Sequence, residues 1–266
     1  MKMKELGGTG VMVPEIGLGT WKYNGGPAPL LRGIDLGANL IDTAEMYRTE
    51  DAVGQAIAGR RNEVFLATKV SGSHLRYDQV MRAADESLRR LAVDCIDLYQ
   101  IHWSNHSVPI SETMGAMEEL VNTGKVRYIG VSNFSTTELQ EAQAAMTKHD
   151  IVSNQVLYNL NSRKIEQDLI SYCQDKRITI MAYTPLADGS LTSGSRFRQS
   201  EKSRAIDQVS AETGKTRAQV ALNWCTSRPN VLAIPKSNRI DRTEENCGAS
   251  GWRLSEEQIR LLDEAF

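Results

Sequence analysis

No apolar run in the chain approaches the length of a membrane span, and the opening MKMKELGGTGVMVPEIGLG has no hydrophobic core of signal-peptide length. Cysteine is scarce and scattered: Cys95, Cys173, Cys225 and Cys247 form no C-x-x-C pair. That spacing argues against the disulfide framework of a small secreted protein and leaves reduced thiols, as expected of a cytoplasmic protein. Charge of one sign is also missing. With 31 basic and 33 acidic residues and a formal net charge of −2, the chain lacks the electrostatic footprint of a partner for nucleic acid or an anionic membrane. The pairs Arg60-Arg61 and Arg89-Arg90 are flanked by acids or apolar positions and read as solvated helix ends. No Pro-, Gly- or Ser-rich linker divides the 266 residues, so one domain over 1–266 is expected; 41% hydrophobic residues suffice for a sizeable core.

What is present is one unit, repeated. Apolar runs rich in β-branched residues lie at 15–20 (EIGLGT), 38–42 (ANLID), 64–69 (VFLATK) and 96–103 (IDLYQIHW). Four more lie at 126–133 (VRYIGVSN), 151–155 (IVSNQ), 178–185 (ITIMAYTP) and 231–237 (VLAIPKS). Amphipathic stretches fill 28–37, 49–58, 77–91, 111–123, 136–146, 164–176, 201–227 (broken near Gly214) and 239–247. A terminal helix over 255–265 opens on the capping pattern Ser255-x-x-Gln258. Such alternation predicts a parallel sheet covered on both faces. An open, doubly wound sheet would carry G-x-G-x-x-G after its first strand, but GLGTWK has Lys22 in place of the third glycine. A phosphate loop at GKT, 214–216, fails because the required earlier glycine is Val209. The length is near the roughly 250 residues typical of a barrel. The fold class is therefore α/β, a single-domain (β/α)8 TIM barrel with a C-terminal helix. The leading KELGGTGVMVPEI predicts a short hairpin on the barrel floor, from its GGTG turn.

In such barrels chemistry collects at the carboxyl ends of the strands. Those ends read Thr20-Trp21, Asp42, Lys69, His102-Trp103, Ser132-Asn133, Gln155, Tyr183-Thr184 and Lys236-Ser237. Asp42 closes the apolar run LID, where an unpaired carboxylate is costly and needs a cation. Lys69 supplies one from the end of the next strand, about 5 Å away. Its ammonium is expected to lower the pKa of a nearby Tyr47 from about 10, giving a proton donor suited to neutral pH. His102, one strand further, can hold a substrate oxygen near Tyr47. Taken singly, each residue has a plainer reading: a rim ion pair for Asp42 and Lys69, a loop aromatic for Tyr47, a core histidine for His102. Trp21 and Trp103 read as pocket walls or as rim packing. His102 and His106 have i,i+4 spacing but follow a strand, so no metal site is expected.

In order and in context, LIDTAEMY, FLATK and YQIHW resemble the motifs that carry the Asp-Tyr-Lys-His tetrad of the aldo-keto reductases, at Asp42, Tyr47, Lys69 and His102. The resemblance continues through IGLGTW, KVRYIGVSNF, NQVLYN, AYTPLA and IPKSNRIDRTEEN. It implies reduction of aldehydes and ketones to alcohols with NADPH (as NADPH/NADP+) lying across the barrel mouth. By motif match, Thr20 and Asp42 border the cofactor; Ser132, Asn133 and Gln155 hold the nicotinamide amide, and Tyr183 stacks on its ring. Thr184 and Leu186 line the pyrophosphate path. Lys236, Ser237 and Arg242 take the 2′-phosphate, and Glu245 with Asn246 the adenine. Trp21, Tyr47, His102 and Trp103 are the implied substrate contacts. A second reading the family permits is a cofactor-binding regulatory subunit with little turnover, as in potassium channels; the lack of an amino-terminal extension argues against it. The connection from His102-Trp103 to Ser111 is only about eight residues, and the chain stops soon after LLDEA, at Phe266. Both suggest an open pocket for small aldehydes, including α-oxoaldehydes such as methylglyoxal. LIDTAEMY and NQVLYNLNSRKIEQDL resemble bacterial reductases linked to such substrates. The expected partner is a small carbonyl compound, and the expected state a monomer.

Overall fold

The computed structural model describes residues 1–193 and 200–266. An antiparallel hairpin comes first, β1 (Met3–Glu5) and β2 (Met12–Pro14), with Met3 opposite Pro14 and Glu5 opposite Met12. Gly7 and Gly10 turn it at positive φ, as the GGTG signal predicts. Eight parallel strands follow: β3 (Leu18–Gly19), β4 (Leu40–Asp42), β5 (Phe65–Val70), β6 (Ile96–Ile101), β7 (Val126–Ser132), β8 (Ile151–Leu157), β9 (Thr179–Tyr183) and β10 (Val231–Ala233). They pair in chain order. The ring closes where Ile16 bridges Ala233 and Gly19 bridges Lys236; the Gly17 N–H donates to the Ala233 carbonyl at 2.8 Å. Among the described residues, closure leaves the eight-stranded ring without an unpaired edge, which explains why strands this short are stable.

Helices cover the outside: α1 (Pro27–Asp35), α2 (Glu50–Ile57), α3 (Tyr77–Leu91), α4 (Ile110–Asn122), α5 (Thr136–Ala144), α6 (Leu169–Asp175), α7 (Glu201–Thr213), α8 (Arg217–Cys225), α9 (Ile240–Cys247) and α10 (Glu256–Ala265). The break expected near Gly214 is real: that glycine ends α7 at φ 64°, and the Thr216 hydroxyl caps α8. The stretch 164–176 divides into a 3₁₀ turn, Lys164–Glu166, and α6.

Two apolar layers result from strand alternation. Ile41, Leu66, Tyr99 and Ile180 face the helices, whereas Leu40, Ala67, Leu98, Met181 and Leu232 fill the barrel interior. Leu6 and Val13 of the hairpin join that inner layer and plug the floor. Lys4 fastens the plug, its amine donating to the carbonyls of Thr226, Arg228 and Val231 at 2.6–2.7 Å. Above the inner apolar layer the same alternation turns polar: Asp42 stands over Leu40, Lys69 over Ala67, and Gln100 then His102 over Leu98.

One irregularity matters. Ile129 pairs with Ile151 but Gly130 with Ser153, so Val152 is an extra residue. After it, Ser153 and Gln155 reach the interior, their side chains bonded to Gln100 and Asp42. Gly130 makes the crossing passable, since a Cβ there would sit 2.3 Å from Ser153 Oγ and 2.9 Å from Gln100 Cγ. Gly130→Ala is therefore expected to lower the unfolding free energy by about 1–3 kcal/mol through overpacking. Urea titration with an unchanged m-value measures it.

Candidate active site

Asp42, Lys69, Tyr47 and His102 meet at the mouth. Asp42 is 2% and Lys69 0% exposed, so neither charge is tolerable alone. The Lys69 ammonium donates to Asp42 Oδ2 at 2.7 Å and to the Thr43 carbonyl at 2.9 Å, and lies 3.4 Å from the Tyr47 hydroxyl. The other oxygen of Asp42 accepts from Gln155 Nε2 at 2.7 Å and from Gln100 Nε2 at 3.4 Å. Tyr47 sits on a 3₁₀ turn, Glu45–Tyr47, just past β4, and its hydroxyl is 3.5 Å from His102 Nε2. His102 stacks on Trp103 with ring centres 3.9 Å apart, and Trp21 leans on Tyr47 at 4.9 Å.

Electrostatically the site differs from expectation in one respect. Burial, then the Asp42 carboxylate and Tyr183, hold the Tyr47 phenol above its usual range, not below it. Burial also pushes the Lys69 ammonium down, against the pull of Asp42. The physical reason is that Lys69 spends its charge on Asp42, which touches it, while Tyr47 stands further off in a pocket poor in water. In the free protein the phenol keeps its proton at neutral pH. His102 is lowered to about 3, by burial and then by the Lys69 charge, so its ring is neutral. Its Nδ1 is buried and has no partner among the described residues.

The other sequence-derived residues line a single cleft of about 780 Å³ that runs from these groups towards α9. Thr20 forms its inner wall, its hydroxyl donating to the Asp42 carbonyl at 2.9 Å. Ser132 donates to the Gln155 carbonyl, Asn133 to the His102 carbonyl, and the Tyr183 hydroxyl to Asn133 Oδ1. Asn133 and Thr184 adopt positive φ, 62° and 50°, as the chain turns sharply off the strand ends. Leu186, Lys236, Ser237, Arg242, Glu245 and Asn246 complete the far wall; Arg242 is paired with Glu245 at 2.5 Å. Trp21 and Trp103 remain 48% and 44% exposed at the entrance. His106 turns away from His102 towards Glu138. A second cleft, of about 850 Å³, opens on the floor side beside Tyr128, Lys148 and Arg177 and contains none of these groups.

Sequence reasoning missed Gln100, although its alternation with His102 was there to be read. It also missed Lys22, Asn238 and Arg239, which line the same cleft on loops. Asn238 docks the loop after β3, accepting from the Asn24 N–H at 3.0 Å. That contact spans more than two hundred residues and leaves no local signal.

Residues 15–266 match the model of the aldo/keto reductase family. The chain belongs to that family. As an aldo/keto reductase it is an oxidoreductase of carbonyl and alcohol groups. Methylglyoxal reductase YeaE of Escherichia coli is 39% identical to it, over 100% of this chain and 95% of that protein. Among solved structures, the thermostable aldo-keto reductase Tm1743 in complex with epalrestat superposes with a TM-score of 0.92 at 39% identity, covering 100% of both chains. The aldo-keto reductase of Klebsiella pneumoniae in complex with NADPH gives a TM-score of 0.90 at 40% identity, over 99% of this chain and 95% of that one.

The neutral state of His102 is directly testable. Its ring carbon shifts should stay flat in NMR from pH 8 to about pH 5, where an ordinary histidine titrates near 6.5. Protonation appears only towards pH 3, because both burial and the neighbouring cation oppose the imidazolium.

Proposed function

We propose that the protein reduces small aldehydes and ketones, α-oxoaldehydes such as methylglyoxal among them, with NADPH, and that Tyr47 gives the proton. The observation that carries this reading is the succession Lys69 Nζ, Tyr47 hydroxyl, His102 Nε2, with gaps of 3.4 and 3.5 Å at the mouth of one cleft. The donor set of the cleft divides in a way that fits NADPH. Near the strand ends stand the amides of Asn133 and Gln155, the Ser132 hydroxyl and the Tyr183 ring, suited to a flat ring bearing a carboxamide. At the far end stand Lys236, Ser237, Arg239 and Arg242, suited to a phosphate. The Klebsiella relative in complex with NADPH supports the same choice. NADPH supplies the hydride for the carbonyl carbon.

The chain's own residues do the rest. A carbonyl oxygen placed between Tyr47 and His102 accepts a hydrogen bond from each, with the His102 proton on Nε2. As charge builds on that oxygen, Tyr47 releases its proton to it, and the Lys69 ammonium steadies the phenolate left behind. Asp42 holds Lys69 in place. The raised phenol guarantees that the proton is present at neutral pH; the influence of Lys69 falls on the transition state and the phenolate.

Substrate size follows from the entrance. Only residues 102–109 connect β6 to α4, and the two tryptophans leave an open, flat-walled gap suited to small carbonyl compounds. The resemblance to the Escherichia coli methylglyoxal reductase points the same way. In this reading the whole chain, 1–266, is one catalytic domain needing no residue from a second copy. Its four free thiols suit a reducing cytoplasm.

Tyr47→Phe keeps the ring and removes the proton. It should leave NADPH affinity within about twofold while kcat for methylglyoxal falls about 10²–10⁴-fold, followed by NADPH absorbance. Turnover within tenfold of wild type would dismiss Tyr47 as donor, and an absence of turnover in the wild-type protein itself would favour a binding subunit. Lys236→Ala and Arg242→Ala should each weaken NADPH about tenfold or more with NADH little affected, since each removes a charge-assisted bond to phosphate. An unchanged NADPH/NADH ratio contradicts the phosphate assignment.

A further inference from the structure

The turn that carries Tyr47 is weakly held by its own residues. It has two backbone bonds, Tyr47 N–H to the Ala44 carbonyl at 3.0 Å and Arg48 N–H to the Glu45 carbonyl at 3.4 Å, and none of its three side chains is fully buried. Met46 is 43% exposed, and Arg48 leaves the turn at φ 56°. Among the described residues, the hydroxyl of Tyr47 has only the long contacts to Lys69 and His102 given above. Glu45 is the exception. Its carboxylate, only 16% exposed, accepts from the Ser71 N–H at 2.9 Å on one oxygen and meets His74 Nδ1 at 2.6 Å on the other.

The placement is symmetrical along the chain: Glu45 lies two residues before Tyr47, and Ser71 two after Lys69. The carboxylate thus ties the turn bearing the phenol to the strand end bearing the ammonium. The tied loop reaches further, because the Gly72 carbonyl accepts from Asn105 Nδ2 at 3.0 Å and a Cβ on Gly72 would lie 3.1 Å from the Trp103 carbonyl. Through residues 71–74, Glu45 is linked to the segment that follows His102 as well.

We infer that Glu45 is a positioning residue: it latches the Tyr47 turn against the loop after β5 and so sets the gap between phenol, ammonium and imidazole. Glu45 touches none of the reacting groups. This rests on Tyr47 being the proton donor, and it predicts a defect in turnover rather than in cofactor binding, since a displacement of about 1 Å in a donor can cost about a hundredfold in rate.

The test uses the full-length protein with NADPH and methylglyoxal. Glu45→Ala should lower kcat about tenfold or more, with the NADPH dissociation constant within twofold of wild type. Glu45→Gln, whose amide oxygen can still accept from the Ser71 N–H, should recover most of the loss, which a general loss of fold would not allow. A wild-type kcat in Glu45→Ala, a Glu45→Gln no better than alanine, or a kcat loss matched by equal loss of NADPH affinity each overturns the latch. If Glu45→Ala does not fold, His74→Ala carries the test: a threefold or greater fall in kcat upholds the latch, and wild-type kcat refutes it. Tyr47→Phe separates the two levels. Retained turnover there removes the donor, whereas collapse there beside an unimpaired Glu45→Ala removes the latch alone.

Discussion

The buried ion pair of Lys69 and Asp42 is the constraint around which this barrel is arranged. Two charges taken out of water at 2.7 Å tolerate burial only if their remaining bonding capacity is met. Here it is: the Thr43 carbonyl accepts a hydrogen bond from the ammonium, and Gln155 and Gln100 donate to the other carboxylate oxygen. Those partners come from the residue just after β4, from β6 and from β8, so the pair draws opposite sides of the ring together. The extra residue at Val152 and the missing side chain at Gly130 are the local adjustments that let Gln155 arrive.

Around this pair, electrostatics sorts the neighbours by distance. His102 feels the uncompensated part of the lysine charge on top of its own burial and stays neutral, which suits a group that orients rather than titrates. Tyr47 feels the carboxylate and the lack of water more than the ammonium and stays protonated. At neutral pH the phenol therefore keeps its proton beside a neutral ring, with that one proton at the centre of the mouth.

Much of this was legible from the residues in order. The strand and helix segments alternate at clear periods, and the closed ring follows from their number, from the chain length and from the failed phosphate-loop and dinucleotide fingerprints. Three of the tetrad, Asp42, Lys69 and His102, close apolar runs, so strand alternation brings them inward, and Tyr47 was legible only from its place five residues after Asp42 in LIDTAEMY. The direction of the Tyr47 shift was not legible, since it depends on how completely Lys69 is engaged elsewhere and how much water remains, quantities only a packed structure contains. Asn238 and Arg239 escaped for a different reason: they act from loops, where no periodicity marks the side that faces the cleft. Glu45 stood inside the motif without a role because its partners, Ser71 and His74, lie on a loop whose path the sequence does not dictate.

The hairpin plug has a consequence for traffic. With Leu6 and Val13 seated in the lower barrel and Lys4 bolted to three carbonyls behind them, the interior formed by the described residues is a blind well closed at the floor and open at the rim. Water, product and dinucleotide all share that one doorway. Lys69 is out of solvent already, so whatever rests across that rim closes over the Tyr47 phenol and the His102 ring, the groups that still face it.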